Sequence, residues 1–390
     1  MNQTHFCNMP FNSLEISPDG TCQVCCKIKK PILNENGQAF NLVHDSLESI
    51  WNSSDLKNLR QRFLNGEKPA ECELCWIEEQ SGNISLRQHS YQIPYQNSET
   101  AVEYLVLKLS NLCNLKCRIC SPDLSTQWLS EAIKNNWFNE EQIQKLNLNR
   151  AKKLSVNNLD TIQKWIPHLK RLLAYGGEPF LSDELLQVLN LCIELGAAKN
   201  ISFTANTNGT IYSDKLISTL QNFKHVYLLF SIDDIEERFE FQRKNAKWTE
   251  VEDNLNRFHS LNDPFTVGLF PTFSILNIFN LKNYLDWTLK FPKFTVMIEN
   301  TIHLPSQLSL RNAPENMKNE IVRYLDTIQI EKYNVQNKQA IQVLKNFVNL
   351  EPSTQPSADK SQSIVRFLSE IDQIRNEDFR KALPELAYLK

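Results

Sequence analysis

The chain is predicted to be an α/β protein whose parallel sheet is open or rolled into a partial TIM-like (β/α)6 barrel. Three observations predict it. From about residue 100, six short apolar runs alternate with amphipathic helical stretches. Three motifs rich in Cys, Gly or Asn fall just past the ends of the first three runs. Nine of the ten cysteines lie within residues 1–120, which sets the amino-terminal region apart.

The strand candidates are 104–110, 171–175, 201–207, 225–232, 265–272 and 294–299, each dense in Val, Ile, Leu, Phe or Tyr. Helical spacing appears between them at 182–195, 213–223, 248–261 and 281–290. Ser182 suits an N-cap, and Gly196 sits where a helix should stop. The long connection between Cys120 and Arg171, rich in Asn, Lys and Gln around 135–158, predicts one or two added helices. After residue 310 the pattern is helical and polar. A flexible break is expected at 353–363, and the stretch 364–388 has apolar residues spaced to pack back on the sheet.

The amino-terminal region has another texture. Residues 14–26 form a β-hairpin by their turn chemistry, with Pro18-Asp-Gly20 at the bend. Helical pieces at 47–51 and 55–64 precede a turn carrying Cys72-x-x-Cys75, and the polar stretch 81–100 with Pro94 has the look of a linker. The expected units are 1–95, 100–305 and a helical extension, 306–390.

Composition narrows the function. Lys and Arg total 42 against 45 for Asp and Glu, and residues 1–100 carry 8 basic and 12 acidic side chains, so neither part is a basic nucleic-acid module. No apolar run approaches the ~18–20 residues of a membrane span, and the start lacks a signal-peptide pattern. A cytoplasmic protein without a membrane or nucleic-acid partner is expected. Its cysteines are then expected to serve metal or redox chemistry. Cys192 lies in an apolar helical stretch and is expected to be a buried core thiol.

Cys113, Cys117 and Cys120, in Leu109-Ser-Asn-Leu-Cys-Asn-Leu-Lys-Cys-Arg-Ile-Cys-Ser121, are an incomplete set for a closed metal site, which takes four ligands. Three thiolates around a [4Fe–4S] cube leave one iron open to a small molecule. A zinc knuckle that borrows a fourth ligand is the competing reading. Glycine is scarce at nine residues, so the pair Gly176-Gly177, in Tyr175-Gly-Gly-Glu-Pro179, signals a backbone that must come close to something. Asn206-Thr-Asn-Gly209 and Phe230-Ser-Ile-Asp233 end the third and fourth strands, and Arg243 follows ten residues after Asp233.

In this order the motifs resemble those of the radical S-adenosylmethionine (radical SAM) enzymes, with Ile119 where relatives often have an aromatic residue. The resemblance implies a [4Fe–4S] cluster on Cys113, Cys117 and Cys120 and SAM on its open iron. It implies SAM contacts from Gly176, Gly177, Glu178, Asn206, Ser231 and Arg243, the last offering a guanidinium to the SAM carboxylate. Cys7, the hairpin cysteines and Cys72-x-x-Cys75 resemble an amino-terminal twitch domain, a short SPASM-like module that holds an auxiliary [4Fe–4S] cluster. The implied ligands are Cys7, Cys25, Cys72 and Cys75. Cys22 or Cys26 replaces Cys25 if the hairpin is bulged, and a four-cysteine zinc site is the alternative chemistry.

The resemblance implies reductive cleavage of SAM to a 5′-deoxyadenosyl radical and hydrogen-atom abstraction from a peptide or protein side chain. It also implies a reducing partner such as flavodoxin or ferredoxin. Alternatives are a dehydrogenase or epimerase of a sugar-like small molecule, and a non-enzymatic zinc or iron–sulfur protein. Asp233, Glu299 and His303 could face the barrel mouth, and no acid or base is assigned to them.

Overall fold

The computed structural model describes residues 5–92, 102–137, 139–141, 162–352 and 360–389. Its strands are β1 (Ser13–Ile16), β2 (Cys22–Gln23), β3 (Tyr104–Lys108), β4 (Lys116–Cys117) and β5 (Arg171–Tyr175). They continue with β6 (Ser202–Thr207), β7 (His225–Phe230), β8 (Arg243–Lys244), β9 (Phe265–Leu269) and β10 (Thr295–Val296). All six expected core strands form. They pair in parallel and in chain order, β3, β5, β6, β7, β9 and β10. The described sheet runs from β10 to β2 and does not close on itself.

Register explains why the sheet has two unlike faces. Leu14, Leu105, Leu172, Phe203, Val226 and Phe265 are successive neighbours across it, and all are buried under the helices. Burying each such side chain contributes about 1.5–3 kcal/mol. One residue along, the row is Glu15, Val106, Leu173, Thr204, Tyr227 and Thr266. This second face is more polar and stays partly open, since β6 and β7 alternate buried with half-buried or exposed residues. With a side-chain period of two, the sequence assigns one face to the core and the other to a cavity.

The helices Asp183–Glu194, Asp214–Leu220, Trp248–His259 and Leu281–Thr288 occupy the expected crossovers. Ser213 caps its helix by accepting from Leu216 N. Ser182 stands at the N-cap position but its hydroxyl donates to Glu184 instead, so no side-chain cap forms there. Gly196 ends the first helix at φ +67°.

The hairpin forms with Glu15 opposite Gln23 and Gly20 at φ +86°. Beyond the expectation, β1 also pairs in parallel with β3, so the amino-terminal region extends the core sheet. The stretch read as a linker is structured through residue 92. Ser85 and Gln88 make a capping box for the helix Leu86–His89, and buried Arg87 pairs with Glu79. Pro94 lies outside the described residues. The helix Thr126–Lys134 follows the cysteine run, and most of the Asn/Lys/Gln-rich stretch lies outside the described residues. In the carboxy-terminal part, Glu315–Leu325, Ala340–Asn349 and Lys360–Arg375 are helical. Of the expected break, 353–359 lie outside the described residues and 360–363 belong to the helix Lys360–Arg375. Cys192 is a fully buried core thiol. Among the described residues no helix is long and apolar enough to cross a membrane.

Candidate functional site

The strand ends converge on one cavity of ≈ 370 Å³. Cys113, Cys117, Cys120, Gly176, Gly177, Asn206, Ser231 and Arg243 all line it. The three-cysteine loop is held in place by a two-stranded antiparallel ladder, with Cys117 opposite Arg243. Trp128 Nε1 donates to the Cys117 carbonyl at 2.7 Å, and Ser125 Oγ donates to the Leu115 carbonyl at 2.5 Å. Leu115 N donates to Cys113 Sγ at 3.4 Å, and Arg243 Nη1 lies 3.7 Å from Cys117 Sγ. Burial pushes the Cys113 thiol up to about 12. The Cys120 thiol and the Arg243 guanidinium bring Cys117 down to about 7. The loop thus offers sulfurs that already receive hydrogen bonds, as metal-bound thiolates do.

Gly176 and Gly177 have φ of +91° and +58°. A Cβ on Gly177 would stand 2.2 Å from Leu112 O, and one on Gly176 would stand 2.6 Å from Lys108 Cγ. Their missing side chains let the turn seat against the start of the cysteine loop.

Glu178, expected among the SAM contacts, is not one of the residues that line the cavity. It is fully buried, and its carboxylate accepts from Thr207 Oγ1 at 2.8 Å, Asn208 N at 2.7 Å and Phe180 N at 3.1 Å. It ties the glycine turn to the Thr-Asn-Gly turn. Burial raises its pKa in spite of these donors. Glu178→Ala is expected to destabilise the fold by on the order of 3 kcal/mol, because buried donors lose their acceptor. Glu178→Gln should cost less, since its amide oxygen can still accept. Urea unfolding of the two variants measures this, and equal midpoints for E178A and the parent would refute it.

Arg243 is also more committed than expected. It is buried and donates twice to Asp233, at 2.9 Å from Nε and 2.7 Å from Nη2, leaving Nη1 toward Cys117. Asp233 additionally accepts from Thr272 N, so it anchors the arginine and does not face the mouth. His303 does line the cavity. Burial and nearby cations take it down to about 4, so it stays neutral, and its Nδ1 has no hydrogen-bond partner. Glu299 is outside the lining, with burial raising its carboxyl. Asn208 went unassigned from the sequence. Its Nδ2 donates to Asn114 Oδ1 at 3.0 Å and lies 4.0 Å from Cys113 Sγ. Its signal in the sequence is the Asn-Gly turn of Thr207-Asn-Gly209.

A second, small cavity of ≈ 20 Å³ brings together Cys7, Cys25, Cys72 and Cys75 with Met9, Ile28, Leu59 and Phe63. Cys22 and Cys26 do not line it. The Cys22 thiol is buried and donates to the Gly20 carbonyl at 3.4 Å, while Cys26 is exposed. Burial pushes all four converging thiols up, Cys72 to about 12. Backbone N–H groups of Met9, Lys27 and Arg87 face the sulfurs of Cys7, Cys25 and Cys75. Among the described residues, no three His, Cys, Asp or Glu side chains are close enough to share one metal ion. Soft thiol donors and amide-to-sulfur contacts fit an iron–sulfur cluster at both places.

The radical SAM superfamily model matches residues 107–286, and an iron–sulfur cluster-binding (SPASM) domain model matches residues 7–76. No match was found among curated proteins. Among solved structures, Streptococcus suis SuiB bound to S-adenosylmethionine is similar at 15% identity, over 76% of this chain and 54% of that one, with a TM-score of 0.36. TYW1 with a lysine–pyruvate adduct bound is similar at 11% identity, over 55% of this chain and 70% of that one, with a TM-score of 0.32. S. suis SuiB bound to the precursor peptide SuiA is similar at 13% identity, over 90% and 60%, with a TM-score of 0.32. The chain therefore spans about half the length of the first of these neighbours. The domains matched bring a [4Fe–4S] cluster with SAM and auxiliary iron–sulfur chemistry. One match covers most of the strands that carry the large cavity and the other covers the amino-terminal cysteines, so the chain carries a radical SAM domain with a SPASM-type cluster-binding domain ahead of it.

Proposed function

We propose that the chain is a radical SAM enzyme that removes a hydrogen atom from a peptide or protein side chain presented at the cavity mouth. The observation that carries this reading is the meeting of three cysteines with Gly176, Gly177, Asn206, Ser231 and Arg243 on one cavity. When bound, the cluster and SAM supply a carbon radical strong enough to take hydrogen from an unactivated C–H bond. Cys113, Cys117 and Cys120 hold the cluster, and the backbone at Gly176 and Gly177 receives the SAM amino group. Asn206 and Ser231 orient the rest of SAM. Arg243, fixed by Asp233, keeps positive charge beside Cys117 and the SAM carboxylate. Cys7, Cys25, Cys72 and Cys75 hold the auxiliary cluster. A flavodoxin or ferredoxin supplies electrons.

Cavity size favours a side chain over a whole small molecule. Sites for drug-sized ligands span about 300–1,000 Å³, so a cluster on the three cysteines and SAM together would fill ≈ 370 Å³. Little more than the reacting end of a substrate then fits inside. The remainder lies outside, against a rim that includes Leu304, 78% exposed.

Anaerobic reconstitution followed by dithionite and SAM tests the reading. Expected are about eight irons per chain, from two [4Fe–4S] clusters, and formation of 5′-deoxyadenosine that Cys113→Ala abolishes. A chain loaded with both clusters that releases no 5′-deoxyadenosine would refute it.

A further inference from the structure

A run of hydrogen bonds joins the large cavity to the amino-terminal cysteines. Tyr175, at the end of β5, lines the cavity and donates its hydroxyl proton to Glu15 Oε1 at 2.6 Å. The same oxygen accepts from Gln23 Nε2 at 2.8 Å. That amide also donates to the Cys25 carbonyl at 3.1 Å, and Cys25 lines the second cavity. The run exists because β1 sits between β3 and β2. Glu15 pairs with Val106 on one side and Gln23 on the other, on the more polar face.

Glu15 is not built like a purely structural link. It is 1% exposed, yet its Oε2 is buried without a hydrogen-bond partner. Such an oxygen is costly to keep ionised and ready to be protonated. The titratable groups facing Glu15 are Lys108 and Tyr104 on β3, Tyr175 on β5 and Cys26 after the hairpin. Burial pushes Glu15 up to about 7, against the lowering effects of Tyr175, Lys108 and Gln23. Both protonation states are therefore accessible near neutral pH.

The geometry points to Glu15 as the group that takes up a proton when the auxiliary site gains an electron, with Tyr175 passing that proton in from the cavity. This rests on the reading of Cys7, Cys25, Cys72 and Cys75 as cluster ligands. An electron added beside Cys25 is one more negative charge near Glu15, and it raises the proton affinity of the carboxylate. Tyr175 gives its hydroxyl proton to Glu15 and takes another from the cavity, so it ends unchanged. The linkage suits substrate oxidation. A substrate radical on carbon that bears an O–H or N–H loses one electron to the auxiliary site and that proton to Glu15. A double bond forms between carbon and the heteroatom, and no charge is left behind.

The test is a potentiometric titration of the auxiliary cluster alone, in the C113A/C117A/C120A chain, between pH 6 and 8.5. Coupling of one proton to one electron predicts a midpoint that falls by about 59 mV per pH unit, a tenfold change in proton activity at n = 1. Glu15→Gln should flatten the dependence. Tyr175→Phe removes a donor that lowers Glu15, so it should move the pH-dependent range to higher pH. A midpoint independent of pH in the parent overturns the proposal, as does an unchanged slope in E15Q. If E15Q fails to hold iron, an unmoved range in Y175F overturns it. A triple variant that binds no iron removes the auxiliary site, and the linkage with it. A cluster that is present but insensitive to pH removes only the linkage.

Discussion

Asp372→Ala is expected to cost about 3 kcal/mol of stability and to strip iron from the core cysteine loop. The reason lies between the second and third cysteines. Arg118 is completely buried, and its Nη2 donates to Asp372 at 2.5 Å and to Glu377 at 2.6 Å. Its Nε donates to the Phe241 carbonyl, and its guanidinium carbon lies 3.8 Å from the centre of the Phe241 ring. Removing one partner of a buried ion pair costs roughly 3–5 kcal/mol, because the charge left behind has no solvent. Glu377 retains part of its hold on Arg118, which places the cost near the lower end. Asp372 also accepts from Phe379 N, so the alanine leaves a buried N–H unsatisfied.

Flanking Arg118, a second clamp repeats the arrangement. Arg375 donates to Glu131 at 2.8 Å, and Lys116, next to Cys117, pairs with the same carboxylate. Both clamps tie the cysteine loop to the helix Lys360–Arg375 and the turn after it. Iron analysis and urea unfolding of D372A test this together. The expected pattern is a lowered unfolding midpoint and about four irons per chain, because the amino-terminal cysteines line a different cavity. Parent-like iron and an unmoved midpoint would sink the argument.

Local chemistry made much of this molecule legible beforehand. The six core strands and their order follow from β-rich runs alternating with helical periodicity, and Pro18-Asp-Gly20 gave the hairpin. Four of the six amino-terminal cysteines meet in space, and they are the four that the resemblance implies. What stayed hidden depends on contacts distant in sequence. Nothing near Arg118 announces Asp372, 254 residues away. Nothing in the hairpin signals that β1 would pair with β3 or that Glu15 would meet Tyr175, 160 residues on. Nothing beside Glu178 signals that its carboxylate would hold the glycine turn to the Thr-Asn-Gly turn, 29 and 30 residues on. The stretch after residue 81 is polar in composition, yet Ser85 and Gln88 are spaced for a capping box, and that local chemistry orders it.

Gly177→Ala is expected to disable the core cluster site while leaving the auxiliary one loaded. Two costs combine at this position. With φ at +58°, alanine would sit in the left-handed region at about 1–2 kcal/mol. Its Cβ would also stand 2.2 Å from Leu112 O and 2.8 Å from Leu112 C, which is backbone and cannot rotate away. Relieving such overpacking costs a further ~1–3 kcal/mol. Leu112 O accepts from Glu178 N at 2.7 Å, so a retreat of that carbonyl breaks the bond joining the glycine turn to the cysteine loop. Leu112 directly precedes Cys113, and the displacement passes straight to the first ligand. Gly66 supplies the control. Its φ is +76°, but nothing lies within 4 Å of a Cβ there, so alanine pays only the conformational cost. Expected for G177A are about four irons per chain, no 5′-deoxyadenosine and an unfolding free energy lower than that of G66A by roughly 1–3 kcal/mol. Equal iron content and equal stability in the two variants would show that the contact with Leu112 does not position the loop.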